Sequence, residues 1–296
     1  MKPLTFTWNV PEECNGVFLR EFLVEKKKVS RSLLTDIKFR GGHLLVNEQP
    51  VTVRKVLNQG DEVTVVFPEE KRNEFMKPFP FKLSICYEDD HVLIINKPPG
   101  LPSIPSRNER DVSLAQALLH YYQMNEISSA IHIVTRLDRD TSGLMLVAKH
   151  RYAHSLLSQQ QIERTIDRTY TAIVHGTIES EHGTINNPIG RKEGSMIERA
   201  IRQDGQEAIT HYRVLERMKG KTVVRVKLET GRTHQIRVHF SNMGFPLVGD
   251  TLYGGTSAQM NRQALHSSTL RFLHPFTEET MSFQAPLPPD MQSIIE

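Results

Sequence analysis

The chain has 296 residues, 38% of them apolar and 24% charged, and a formal net charge of only +3. That is the composition of a soluble globular protein with room for two domains, and a charge so small carries no claim about nucleic acid unless its distribution does. Two cysteines, Cys14 and Cys86, without Cys-x-x-Cys spacing, support neither a thiolate zinc site nor a disulfide framework. No apolar run has the length to cross a bilayer. The opening MKPLTFTWNVPEE lacks an apolar stretch ending in a small-residue cleavage site, so a cytoplasmic protein is expected.

Along the chain, Leu19, Phe22 and Leu23 have helical spacing. SRSLLTDIKFRGG then offers Ser30 as an N-cap, Leu33, Leu34 and Ile37 as an apolar stripe, and Gly41 as a stop. HLLVNEQPVTV predicts two short strands around a polar Asn-Glu turn. GDEVTVVF closes the module as a half-buried strand in which Val63, Val65 and Phe67 alternate. Six cations, Lys26, Lys27, Lys28, Arg31, Lys38 and Arg40, lie on or beside the two helices; a charge run alone is more often a solvated face. The succession of Ser-Arg-Ser opening a helix, Gly-Gly, the LLVNEQPV hairpin and QGDEV resembles the S4 RNA-binding module over residues 16–67. That resemblance implies a basic helical surface docked on RNA phosphates. The stretch 67–84, FPEEKRNEFMKPFPFKLS, mixes charges with three prolines and reads as a linker.

In the larger part, VLII at 92–95 is a continuous apolar run, a buried strand ended by the NKPPG turn. RDVSLAQALLHYY (110–122) is helical by the spacing of Leu114, Ala117 and Leu118. IHIV and LMLVA predict strands, and HSLLSQQQIERTI an amphipathic helix. RTYTAIVHG (168–176) alternates, with Tyr170, Ala172 and Val174 on one face. ITHYRVLERMKGKTVVRVKL (209–228) reads as a hairpin. THQIRVHFSNMG reads as a short helix ending at Gly244, with Arg237 near its start. Hairpin-linked strands with a few helices predict an α+β protein with a largely antiparallel sheet.

Residues 136–143, RLDRDTSG, pack two acids, two arginines, two hydroxyls and a glycine between two oily runs. If the segment is extended, Asp138 and Asp140 share a face. A hard-cation pair would use them, although no third acidic ligand lies near in sequence. So would a glycosidase-like carboxylate pair or a single nucleophilic aspartate. A salt-bridged turn capped by its own hydroxyls needs no chemistry at all. Arg232, His234, Arg237 and His239, just after a strand, suit a basic RNA-facing helix as well as catalysis. Tyr170 alone is as readily a core residue.

Six segments change that balance: YEDDHVLIINKPPGL, TRLDRDTSGLMLVAK, RTYTAIVHG, PIGRKEGSMIERAI with GQEAITHYRVLE, GRTHQIRVHFSNMGFPLVGDTLYG, and ALHSSTLRFLHPFTEE with FQAPLP. In this order over residues 80–290 they resemble the RluA-type pseudouridine synthases. One departure is visible: Thr135 precedes Arg136 where that family usually carries histidine. The resemblance implies an isomerase that converts uridine to pseudouridine in structured RNA, ribosomal RNA ahead of transfer RNA, with no metal, nucleotide or other cofactor. It implies Asp138 as the catalytic aspartate and Arg237 as the guanidinium holding it. Tyr170 becomes the ring against the uracil, and Arg136 the cation filling the gap left by an extruded nucleotide. Asp140 becomes a loop residue, and Thr141, Ser142 and Gly143 shape the turn. The resemblance also implies a mixed, largely antiparallel sheet with a central cleft plus a small α/β S4-like N-terminal domain, with boundaries expected at 1–67 for the S4-like domain, 68–80 for the linker and 81–296 for the catalytic domain, in a monomer with no membrane partner. A non-catalytic RNA-binding or ribosome-assembly factor that kept the fold is the alternative; Asp138, Tyr170 and Arg237 together argue against it.

Overall fold

The structure, a computed structural model, describes residues 3–105 and 112–296. Among them no helix is long and apolar enough to cross a membrane. The N-terminal part runs β1 (Thr5–Asn9), α1 (Leu19–Glu21), α2 (Arg31–Phe39), β2 (His43–Val46), β3 (Gln49–Pro50) and β4 (Glu62–Val66), with the sheet in the order β1-β4-β2-β3, antiparallel throughout. Ser30 caps α2 by accepting the Leu33 N–H at 3.3 Å, and Gly41 follows it at φ +93°. Asn47 and Glu48 both have positive φ, the backbone a two-residue hairpin between β2 and β3 requires. Two features differ from the sequence expectation. The helix through Leu19, Phe22 and Leu23 is a single α-turn that widens into a π-turn, Phe22–Lys26, with all three side chains fully buried. And β1 was not foreseen, because its aromatic residues find partners far along the chain: Phe6 stacks on Phe276 at 4.9 Å and meets Tyr152 edge-on at 5.1 Å.

The expected linker has no regular element between Pro68 and Pro80, yet it is pinned. Glu70 accepts hydrogen bonds from the Arg151 and Ala130 N–H groups at 2.7 and 3.2 Å and from Ser129 at 3.1 Å, and lies 2.5 Å from His132. Arg72 donates to the Ser129 and Ile127 carbonyls. Tyr152 belongs to the N-terminal core and donates to the Lys27 carbonyl at 2.5 Å.

The larger part continues with β5 (Ile85–Glu88), β6 (Val92–Lys97), α3 (Leu114–Met124), β7 (His132–Ile133), β8 (Ser142–Ala148), α4 (Arg151–Ile162), β9 (Asp167–His175), β10 (His182–Asn186), β11 (Ile189–Arg191), β12 (Arg199–Ile201), β13 (Ile209–Met218), β14 (Lys221–Leu228), α5 (Gln235–Asn242), β15 (Leu265–Leu273), β16 (Thr280–Gln284) and α6 (Pro289–Ile295). Ser113 starts α3 with a reciprocal capping box to Gln116; the expected helical residues Arg110 and Asp111 lie outside the described residues. The main sheet orders its strands β10-β13-β14-β9-β15-β8-β6-β5, with β16 beside β15 and β7 beside β8. Its strand pairs are antiparallel except β15 with β8, so the sheet is mixed. Both faces are covered. Leu93, Ile95, Met145 and Val147 pack toward α3 on one side, while Val92, Ile94, Leu144 and Leu146 pack toward α4 on the other. This is why β6 and β8 read as unbroken apolar runs. Central β9 is likewise buried on both faces, with Ile173 as inaccessible as Ala172 and Val174.

The parallel contact positions the site. Gly143 opens β8 at φ +113°, and a Cβ there would fall 2.3 Å from the Ser267 carbonyl oxygen, so only glycine lets β8 close on β15. Ser267 is also the register partner of Tyr170 on β9. The loop before β8 and the face of β9 therefore meet across one strand.

Candidate active site

Asp138 does not extend from a buried strand, as the flanking oily runs suggested. β7 is two half-buried residues long, and Asp138 stands on the irregular loop between β7 and β8. The surroundings fix that loop. Thr135, buried, accepts the Leu146 N–H at 2.8 Å, so at the position where the resemblance expects an imidazole this chain carries a backbone cap. Ser103 Oγ donates to the Leu137 carbonyl at 2.6 Å and accepts its N–H at 3.1 Å. Fully buried Lys97 donates to the carbonyls of Pro98, Leu101 and Arg139 at 2.8–2.9 Å. Burial pulls this amine down to about 7, against the opposing pull of Asp140 and Asp138. Arg262 donates to the Asp140 carbonyl at 3.0 Å, Gln263 to Thr141 at 3.2 Å, and Ser142 pairs with His266 at 2.9 Å. The hydroxyls shape the turn, as expected.

The partners of Asp138 come from α5 and its N-cap. Arg237 Nη1 lies 3.3 Å from Asp138 Oδ2, and His234 Nε2 lies 3.9 Å from the same oxygen. Arg237 is itself gripped from behind, because its Nε and Nη2 donate to the two carboxylate oxygens of Asp250 at 2.7 and 2.8 Å. Asp250 and Arg237 are both buried. Burial alone would depress the guanidinium, but Asp250, and then Asp138, outweigh it and hold the charge. A bidentate pair fixes the plane of the guanidinium, so only its third nitrogen is free to face Asp138.

His234 adopts a left-handed backbone, φ +59°, ψ +19°, a conformation that costs a non-glycine residue about 1–2 kcal/mol. That backbone turns the imidazole toward Asp138. Its Nδ1 sits 2.7 Å from the Tyr253 hydroxyl, whose oxygen already accepts the Arg199 N–H at 2.9 Å. When the Tyr253 hydroxyl donates to Nδ1, a neutral imidazole carries its proton on Nε2, the nitrogen nearer Asp138. Burial, the largest influence on His234, keeps it toward the neutral form. The Tyr253 ring also lies under the Arg237 guanidinium, 4.9 Å away.

Tyr170 is only 4% exposed and lines a small inner pocket of about 60 Å³ together with Asp138, His234 and Arg237. This pocket opens into a cleft of about 660 Å³, where Arg136 is exposed. The structure thus brings Asp138, Tyr170, Arg237 and Arg136 to one place. It does not bear out a basic RNA-facing helix at α5. Residues Gln235 to Phe240 are all buried, and His239 is held by Thr210 and the Asn187 carbonyl. Sequence reasoning missed Asp250, Tyr253 and the part played by Lys97. One signal was available for the first two: Gly249 and Gly255 bracket them, and a Cβ at either would fall 2.0 Å from a backbone oxygen, which marks a crowded turn.

The six N-terminal cations are placed separately. Lys27 lies over the Trp8 and Phe22 rings, Lys38 over Phe39, and Arg40 pairs with Asp36 at 3.2 Å. Arg31 and Lys38 line a groove of about 610 Å³ with Arg20, Arg54 and the exposed ring of Phe18. Lys26 and Lys28 are exposed beside the π-turn.

Residues 91–242 match the family model for RNA pseudouridylate synthase. The uncharacterized RNA pseudouridine synthase YjbO of Bacillus subtilis is 53% identical over 268 residues, covering 90% of this chain and 95% of its own. The ribosomal large subunit pseudouridine synthase D of Pseudomonas aeruginosa is 42% identical over 298 residues, covering 95% and 92%. Among solved structures, human RNA Pseudouridylate Synthase Domain Containing 1 is similar with a TM-score of 0.59 at 28% identity, over 72% of this chain and 87% of that one. The chain belongs to the RNA pseudouridine synthase family, enzymes that isomerise uridine within RNA.

Proposed function

We propose that this enzyme isomerises uridine in large-subunit ribosomal RNA, with Asp138 as its catalytic carboxylate. The observation that carries the reading is the chain from Asp250 through Arg237 to Asp138, a buried ion pair whose one nitrogen not engaged by Asp250 faces a partly exposed carboxylate. The reaction breaks the N1–C1′ bond, turns the uracil, and joins C5 to C1′. The proton leaving C5 is balanced by one gained at N1, so no redox partner enters the balance. An ionised Asp138 either attacks C1′ or removes a sugar proton; Arg237 directs it in both routes, with the His234 imidazole beside it. Tyr170 forms the floor on which a detached uracil stacks, a contact worth about 1–3 kcal/mol per base. Extrusion of the target costs a few kcal/mol, and Arg136, exposed at the mouth of the pocket, fills the vacated space.

The name of the Pseudomonas relative supports ribosomal RNA as the substrate. The N-terminal module, read as an S4-like RNA-binding domain over residues 1–67 ahead of the pinned 68–80 segment, supplies phosphate contacts through its basic groove. Mapping pseudouridine in total RNA from cells with and without the chain tests the reading. Sites lost from large-subunit ribosomal RNA are the expected result; losses confined to transfer RNA would overturn the substrate, and no loss anywhere would overturn the activity.

A further inference from the structure

Arg168 has no part in the reaction as described so far, yet it stands at its door. It lies on β9 two residues before Tyr170, so the two side chains leave the same face of the strand, about 6–7 Å apart along it. It lines both the inner pocket and the outer cleft. Its Nε is buried, and among the described residues no acceptor reaches it.

Of the other cations lining the cleft, Arg136 and Arg139 are exposed toward solvent, whereas the two beside Arg168 are held. Arg164 is held by Glu207 and Glu229, and Arg232 by the Glu207 carbonyl. The two acids of the cleft are equally occupied, Asp138 by Arg237 and His234, Glu229 by Arg164 and His211. Gly231 faces Arg168, and a Cβ there would come within 3.0 Å of Nη2. The φ of Gly231 is not left-handed, so the glycine provides room rather than a turn. A donor left buried without an acceptor costs about 1–3 kcal/mol, which a substrate oxygen would recover.

We propose that Arg168 is the binding site for a backbone phosphate of the substrate RNA beside the nucleotide being isomerised. A planar guanidinium offers a phosphate two parallel N–H donors. One strand step outward from the ring that carries the base is where the sugar–phosphate of an inserted nucleotide has to pass. This subsite rests on the reading of Asp138 and Tyr170 as the reacting centre.

The test uses the full chain and unmodified large-subunit ribosomal RNA from cells lacking it, with kcat and KM measured across a salt series. Arg168→Met raises KM about tenfold or more, changes kcat less than twofold, and makes log KM against log salt shallower by about 0.7–0.9. Arg168→Lys keeps the salt slope while recovering only part of the affinity, which a merely structural role would not do. Gly231→Ala, whose Cβ meets the mobile end of Arg168, raises KM less than Arg168→Met and keeps the salt slope, and thermal unfolding of each variant identifies one that fails to fold. An active wild type with KM and slope unchanged in Arg168→Met overturns the subsite alone, as does a fall in kcat at constant KM. A wild type inactive on this RNA overturns the underlying reading and the subsite with it.

Discussion

Arg237 and Arg31 are the same side chain put to opposite uses. In the pocket, Arg237 is buried, gripped through two nitrogens by Asp250, and left with one donor for Asp138. In the N-terminal groove, Arg20, Arg31, Lys38 and Arg54 are exposed, and the contact that Lys38 makes is with an exposed phenylalanine ring. The difference separates two jobs of positive charge. A desolvated, paired cation fixes geometry and is little screened by salt; an exposed one contributes attraction, which salt screens within a Debye length of about 8–10 Å. Lys97 belongs with Arg237: fully buried, it holds three carbonyls of the loop network that carries Asp138.

Breaking the pocket should have the largest effect. Asp250→Ala leaves a buried guanidinium without its main partner, a change that costs about 3–5 kcal/mol. Loss of aim at Asp138 should lower kcat about a hundredfold. Denaturant unfolding and single-turnover conversion measure the two. A variant with near-normal kcat would mean that Arg237 needs no second carboxylate.

The junction between the regions comes next. Burial raises the Glu70 carboxyl, but the His132 contact and the Arg151 and Ala130 N–H groups outweigh it and hold it at about 2. A carboxylate depressed on folding adds stability above its unfolded pKa, near 4.3–4.5, and that stability is lost as pH falls toward 2. Acid unfolding of the wild type should therefore steepen between about pH 4.5 and 2. Glu70→Gln should be less stable at neutral pH and flatter through that window by circular dichroism; an identical acid profile would remove Glu70 from the joint.

The smallest effect belongs to the groove. Arg31→Ala with Lys38→Ala should weaken RNA binding severalfold at low salt. It should also reduce the slope of log K against log salt by about 1.4–1.8 for two phosphates. An unchanged slope would take those cations off the RNA.

What could be read from the sequence follows the same division. Local devices were legible: the Ser30 cap, the Asn47–Glu48 turn, the apolar runs of β6 and β8, and the short helix carrying Arg237. The site residues Asp138, Arg136, Tyr170 and Arg237 entered through resemblance, and their convergence became visible only with the fold, because it depends on β15 pairing with both β8 and β9, which lie far before it in the chain. β1 escaped because its aromatic face is matched by Tyr152 and Phe276, which lie far along the chain. Asp250 and Tyr253 escaped for a like reason: the bracketing Gly249 and Gly255 mark a tight turn but not that it folds back under α5. The 68–84 stretch had the composition of a tether, but composition does not reveal that Glu70 and Arg72 find buried partners.

The central claim is that Asp138 acts chemically while the rest of the site positions it. Pseudouridine formed per RNA by Asp138→Asn, with RNA affinity measured on the same preparation, tests this most directly. Conversion reduced about a thousandfold or more, with affinity within a few-fold of the parent, is the predicted result. Conversion at the parental rate, or loss of conversion matched by loss of binding, would contradict it.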